Sequence, residues 1–284
     1  MSEIPTNNQG SSGVSLPGDA RNRPAVVVTG ASEGIGLAIA HRFAAGTGYP
    51  VVMIARRAPP LEAAAREVAE RSNVETIALP LDITAPDAAD TIETALRTRG
   101  LHAEILINNA GVGLGGDFAR HDEADIADLL DLNVRALSLL TRRFLPGMIE
   151  RARGSIINIA SLGGFAPGPY QAAYDASKAY VVSLTRALAS EVGGTGVRVV
   201  VVAPGPVSTQ FHARMGADHA LYRYLMPALS AQAVANATWR GWKLGFRVIH
   251  PGPLTPLTSL MMRVTPWLVL VPIVGWLLGK RLGR

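Results

Sequence analysis

The chain contains no cysteine. Disulfides, thiol nucleophiles and cysteine-ligated metals are therefore excluded, and the redox compartment cannot be read from thiol usage. Its six histidines, at 41, 102, 121, 212, 219 and 250, show no HExxH spacing, so no metal site is expected. Lysine is scarce, with 3 against 24 arginines. There is no long basic run, so the net charge of +5 describes a scattered basic surface and no nucleic-acid partner is expected. The opening MSEIPTNNQGSSGVSLPGDARNR lacks the apolar centre of an export signal. It reads as a polar, disordered arm over 1–22, and the protein is expected in the cytoplasm.

Hydrophobic residues make up 48% of the 284, enough for a substantial core. From Pro24 onward, short runs of β-branched and aliphatic residues alternate with helical stretches. AVVV (25–28), VVMIA (51–55), VETIALP (74–80), EILIN (104–108), SIINIA (155–160) and VRVVVVAP (197–204) read as strands. Helices are expected over 34–45, 61–72, 87–98, 123–150 and 172–191. Strands that are apolar without alternation are buried on both faces, and alternation with helices implies βαβ units. The expected fold class is α/β, a doubly wound parallel sheet (Rossmann fold) in one domain over 23–252, followed by an apolar extension over 253–284.

The first strand runs into Thr29-Gly30-Ala31-Ser32-Glu33-Gly34-Ile35-Gly36 and then a helix. Glycines permit a tight turn and close approach by a ligand, and a helix start offers unpaired N–H groups to an anion. This predicts a dinucleotide cradle at Gly30, Ser32, Glu33, Gly34, Ile35 and Gly36. Twenty residues past Gly36, where NAD-binding folds place an acid on the ribose, stand Arg56 and Arg57. Arginine accepts no hydrogen bond and attracts a 2′-phosphate, so NADP(H) is the expected cofactor in preference to NAD(H). Glu33 runs against that preference.

In YDASK, Tyr174 and Lys178 stand one helical turn apart and share a face. A cation about 4 Å from a phenol contributes roughly 4 kcal/mol at an effective dielectric near 20. That corresponds to about three pKa units, enough to bring a tyrosine near neutrality for proton transfer. A compact ammonium suits this place better than a planar guanidinium, which explains a lysine here in a chain that nearly always chooses arginine.

The TGxxxGxG turn, Asp82 in LDIT, Asn108-Asn109-Ala110-Gly111, Asn133 in DLNVRAL, Ser161 in NIASLGG, Tyr174 with Lys178, and Pro204-Gly205-Pro206-Val207-Ser208-Thr209 follow in order over about 24–210. Together they resemble the short-chain dehydrogenase/reductase family of the YxxxK type. The resemblance implies hydride transfer between a nicotinamide ring and a carbonyl or alcohol carbon, with Tyr174 as proton donor and acceptor. It implies that Ser161 holds the substrate oxygen, that Lys178 reaches the nicotinamide ribose, and that Asn133 holds a water linking Lys178 to solvent. Asp82 and Ile83 would meet the adenine, Asn109, Ala110 and Gly111 the adenosine ribose, and Pro204, Gly205, Val207 and Thr209 the nicotinamide end. It further implies a homodimer or homotetramer built on the helices carrying Asn133 and Tyr174.

Rival chemistries fit less well. The acids Asp122, Glu123, Asp125, Asp128 and Asp131 sit at a predicted helix start, where they suit the macrodipole. Ser161 lacks the GxSxG elbow of a hydrolase. The remaining alternative is a nucleotide-binding sensor or scaffold on the same fold, which would have no need to keep Asn133, Ser161, Tyr174 and Lys178 together.

Beyond Thr209 the chain carries Phe211, Met215, Leu221, Tyr222, Tyr224 and Met226. With Phe165 and Tyr170 these are expected to wall a pocket for a hydrophobic carbonyl or alcohol, lipid-like, steroid-like or aromatic. The apolar VTPWLVLVPIVGWLL (264–278) would span about 22 Å as a helix, short of the roughly 30 Å of a bilayer core, and Pro266 and Pro272 interrupt it. Peripheral membrane contact through 264–284, a pocket cover and a subunit contact all remain open for it.

Overall fold

Val26, Val27 and Val28 point alternately to opposite sides of their strand, and both sides are covered. That is why the strand runs contain no polar alternation. The computed structural model describes residues 22–215 and 228–279. The expected N-terminal arm lies outside the described residues but for its last position, as do Leu221, Tyr222, Tyr224 and Met226.

The strands are β1 (Arg23–Thr29), β2 (Val51–Ala55), β3 (Thr76–Pro80), β4 (Leu101–Asn108), β5 (Gly154–Ile159), β6 (Val197–Val202) and β7 (Val248–Ile249). They form one parallel sheet in the order β3-β2-β1-β4-β5-β6-β7. The helices are α1 (Gly34–Thr47), α2 (Ala58–Ser72), α3 (Ala88–Arg97), α4 (Glu123–Leu130), α5 (Leu137–Glu150), α6 (Ala172–Glu191), the single turn α7 (Phe211–Arg214), α8 (Ala231–Lys243), α9 (Thr255–Val264) and α10 (Trp267–Leu278).

On one face, Phe43 of α1, Leu61 of α2 and Trp239 of α8 pack on Val26, Val28, Val51 and Met53. On the other, Ile92 of α3, Leu140 of α5 and Ala189 of α6 pack on Val27, Val52, Leu106 and Ile156. Each fully buried aliphatic side chain contributes about 1.5–3 kcal/mol. Chain order reverses between β1 and β4, so a crevice opens beyond their carboxyl ends, where doubly wound sheets bind ligands.

The single helix expected over 123–150 is two helices joined by a π-helical turn, Asp131–Ala136. The segment after Thr265 turns at Pro266, which caps α10, whereas Pro272 lies inside α10 without ending it. Two buried hydroxyls fasten α9: Thr255 Oγ1 donates to the Pro251 carbonyl at 2.6 Å, and Ser259 Oγ lies 3.3 Å from His250 Nε2. α10 then crosses the 166–171 loop at Gly275, where a Cβ would stand 3.2 Å from the Pro169 ring. Leu270 and Val274 are buried by this return. The stretch expected as an extension thus folds back over the crevice. Among the described residues no helix is long and apolar enough to cross a membrane.

Candidate active site

The crevice is a cleft of about 1370 Å³. That exceeds the 300–1,000 Å³ common for a small ligand alone, and leaves room for a dinucleotide beside a substrate.

At one end the chain leaves β1 through a turn that only glycine can make. Gly30 and Gly34 have φ of +64° and +58°, a region that costs any side-chain-bearing residue. A Cβ on Gly30 would lie 2.9 Å from Ala110 Cα, and one on Gly36 would collide with the Gly30 carbonyl. The turn is locked to β4: Thr29 Oγ1 accepts from the N–H groups of Asn109 and Ala110, both at 3.0 Å. Asn109 Nδ2 in return donates to the carbonyls of Thr29 and Gly30 at 3.0 and 3.1 Å. Glu33, the N-cap of α1, makes no side-chain cap hydrogen bond, and Glu33, Gly34 and Ile35 of this helix start line the cleft, as an anion site requires.

Arg56, Arg57 and Asp82 stand at the same end. Asp82 Oδ1 accepts from Thr84 N at 2.9 Å and Thr84 Oγ1 at 2.7 Å. Burial pushes this carboxyl up, but those bonds and the charge of Arg56 outweigh it and hold it below its ordinary value. Glu33 is engaged by both guanidinium nitrogens of Arg214 and lies 3.7 Å from Arg57. The Arg214 hydrogen bonds lower its pKa, against the opposing effect of burial. Among the described residues Arg56 has no carboxylate at ion-pair distance.

At the other end, Lys178 is buried and donates from Nζ to the Ile159 carbonyl at 3.0 Å. Burial pushes its pKa down to about 8. Its ammonium lies 5.9 Å from the centroid of the Tyr174 ring. Tyr174 packs with Leu129 and Met215, and its ring centroid is 5.6 Å from that of Phe211. Asn133, in the π-helical turn, accepts from Val112 N at 2.9 Å and donates to Val112 O at 2.8 Å and Ser177 Oγ at 3.0 Å. Ser177 passes the chain on to the Tyr174 carbonyl at 2.6 Å. A Cβ on Gly111 would lie 3.0 Å from Asn133 Oδ1 and 3.4 Å from Lys178 Nζ. A glycine is what lets the β4 loop close over both. Ser161 caps the 3-10 turn Leu162–Phe165, its Oγ accepting from Gly163 N at 3.1 Å.

Most residues singled out from the sequence line this one cleft: Gly30, Ser32, Glu33, Gly34, Ile35, Arg56, Arg57, Asp82, Ile83, Asn109, Ala110, Gly111, Ser161, Tyr174, Lys178, Pro204, Gly205, Val207, Thr209, Phe211 and Met215. Four are not in its wall. Gly36 and Asn133 stand behind it, as the bonds above describe. Phe165 turns to His250, with ring centroids 5.4 Å apart, and to the cluster around Val181. Tyr170 is 42% exposed, its backbone at φ +65°.

Several residues, some of them inside the quoted motifs, were given no role from the sequence. Asn108 Nδ2 donates to Thr141 Oγ1 at 3.1 Å and Asn158 Oδ1 at 2.9 Å, and Asn158 Nδ2 to Thr185 Oγ1 at 3.0 Å. This buried ladder ties β4 and β5 to α5 and α6, and nothing in the spacing of its members signals it. Val274, Leu277 and Leu278 of α10 also line the cleft. So does Asp175, whose acid side chain on a helix gives no sequence sign of burial.

A family model described as short chain dehydrogenase matches residues 24–220. Sulfoacetaldehyde reductase from Chromohalobacter salexigens is 39% identical over 218 residues, covering 74% of this chain and 85% of the relative. Among solved structures, a short-chain dehydrogenase from Sphingobium yanoikuyae in complex with NADPH superposes with a TM-score of 0.74 at 32% identity, covering 84% of this chain and 92% of that one. A short chain dehydrogenase/reductase from Burkholderia phymatum in complex with NAD gives 0.76 at 25% identity, over 84% and 92%.

Proposed function

This chain is a member of the short-chain dehydrogenase family, an oxidoreductase of carbonyl–alcohol pairs, and we propose that it uses NADP(H) to reduce a hydrophobic ketone. The observation that carries the reading is the burial of Tyr174 beside Lys178 in the same cleft as Ser161, with Arg56 and the glycine turn at its other end.

The nicotinamide nucleotide, when bound, supplies the hydride. The chain's own residues position the partners and move the proton. As the substrate carbon is reduced, Tyr174 gives its hydroxyl proton to the carbonyl oxygen, and in oxidation it takes that proton back. Lys178 opposes the negative charge left on the phenolic oxygen. With its pKa lowered to about 8 by burial, it carries a proton at neutral pH yet is near release, so it can restock Tyr174. The Ser161 oxygen already accepts from Gly163 N, which leaves its own hydrogen for the substrate oxygen, where charge develops. Asn133 holds Val112, and with it Gly111, against α6.

The fold admits either nucleotide, so the charge at the end of β2 makes the choice. Arg56 and Arg57 favour a 2′-phosphate, and Arg214 neutralises the carboxylate of Glu33 that would repel one. Around Tyr174 pack Leu114, Leu129, Phe211 and Met215, and Val274 and Leu277 line the same cleft. A small anion such as sulfoacetaldehyde would need a cation for its charged end, and among the described residues Lys178 is engaged with Ile159 and Arg214 with Glu33. The lining supports an apolar ketone instead. NADPH-driven reduction suits the cytoplasm, and exposed Leu139, Ile149 and Tyr180 on α5 and α6 support a homodimer or homotetramer through those helices.

Tyr174→Phe tests the reading. It is expected to bind NADPH as wild type does in a fluorescence titration while losing about 100-fold or more of ketone-dependent NADPH oxidation. Near-normal turnover in that variant rejects the tyrosine's role.

A further inference from the structure

α9 and α10 have two faces. Inward, Thr258, Met262, Val274, Leu277 and Leu278 wall the cleft. Outward, the same helices expose apolar side chains: Trp267 at 69%, Leu268 at 91% and Trp276 at 68%. Of the eighteen exposed large hydrophobic residues described, ten fall between Leu254 and Trp276. So many exposed apolar side chains on two consecutive helices mark a contact surface.

The charge of this end of the sequence points to the partner. Every one of the chain's 22 acidic residues lies at or before Asp218, while eight of its 27 cations lie beyond it. Arg263 is the only charged residue from 253 to 279, and Lys280, Arg281 and Arg284 follow α10 in sequence. A two-fold contact with a second copy would set this uncompensated positive charge against itself. An anionic lipid surface neutralises it. The two tryptophans, near the ends of α10, are the residue type that settles at the boundary of hydrocarbon and headgroup. Twelve residues of helix reach about 18 Å, too short to cross a bilayer but long enough to lie in its surface.

We propose that the outer face of α9 and α10 seats this protein on an anionic membrane surface. Docking there places the apolar wall of the cleft beside the lipid, and it stands or falls independently of the catalytic reading.

The test uses the full chain with two sets of vesicles, pure phosphatidylcholine and phosphatidylcholine with phosphatidylserine at about one lipid in three. Wild type is expected to sediment with the anionic vesicles at least tenfold more strongly than with the neutral ones, with a blue shift of tryptophan emission that salt reverses. Leu268→Glu with Trp276→Glu is expected to abolish sedimentation while keeping wild-type NADPH affinity and thermal transition, which separates lost docking from lost folding or lost cofactor binding. Wild type that stays in the supernatant with both vesicles overturns the proposal, as does undiminished sedimentation of the double variant. Self-association without vesicle binding, if Leu268→Glu removes it, makes the face a subunit contact and overturns the proposal too.

Discussion

Asp175 follows Tyr174 and is 4% exposed. Its carboxyl is wedged against the backbones of Gly163 and Gly168, neither of which could carry a Cβ there. Oδ1 has no hydrogen-bond partner among the described residues. Lys178, one turn on, sends its ammonium to Ile159 instead. Burial without a counter-charge pushes the carboxyl up to about 8, from 3.8. The folded protein therefore keeps a proton that the unfolded chain gives up near pH 4. The stability associated with that proton is complete below pH 4, falls as pH rises towards 8, and levels off once both states are ionised. Asp175→Asn mimics the neutral form throughout. Its melting temperature should match wild type near pH 4 and exceed it by a margin that widens to about 5 °C or more by pH 8. A margin that does not change between those pH values would mean the carboxyl is ionised in the fold. The sequence disclosed Tyr174 and Lys178 because a one-turn spacing of a phenol and an amine is a pattern. It did not disclose Asp175, because its burial depends on a loop that closes over it from elsewhere in the chain.

Among the elements, strands and βα turns were legible because their signals are local: a β-branched run, then glycines that a left-handed turn requires. β7 is two residues long, below what any pattern can mark. The π-helical turn also left no trace, since 123–150 is helical by composition, and the turn carries Asn133, whose bonds to Val112 reach outside the helix. Phe165 and Tyr170 were expected in the pocket wall, but an aromatic residue near a site motif carries no information about which way its turn will face. The contact of Glu33 with Arg214 was likewise invisible, as it joins the glycine turn to α7 across the cleft. It accounts for an acid in the cradle proposed for a phosphate. Arg56→Ala should raise the Kd for NADPH about tenfold or more and leave that for NADH within twofold, the loss expected of one charge-assisted bond. Equal weakening for both nucleotides, or tighter NADH binding by wild type, would remove the 2′-phosphate from the argument.

At the scale of the whole molecule, α5 and α6 present Leu139, Ile149 and Tyr180 to solvent, and Tyr180 OH lies 3.0 Å from Ser138 Oγ on the facing helix. Sedimentation velocity should find a dimer or tetramer, and Leu139→Glu with Tyr180→Arg should shift it to monomer without lowering NADPH affinity. Wild type that runs as a monomer at micromolar concentration would end that assignment.

A helix shifts as a rigid rod, and α10 has one row of side chains in the cleft and another outside it. A molecule that wedges against Leu277 and Leu278 must also displace Trp276 and Ile273. If the outer face docks as proposed, occupancy within and attachment without become two readings of one equilibrium, and by reciprocity each would change the other's affinity by the same factor.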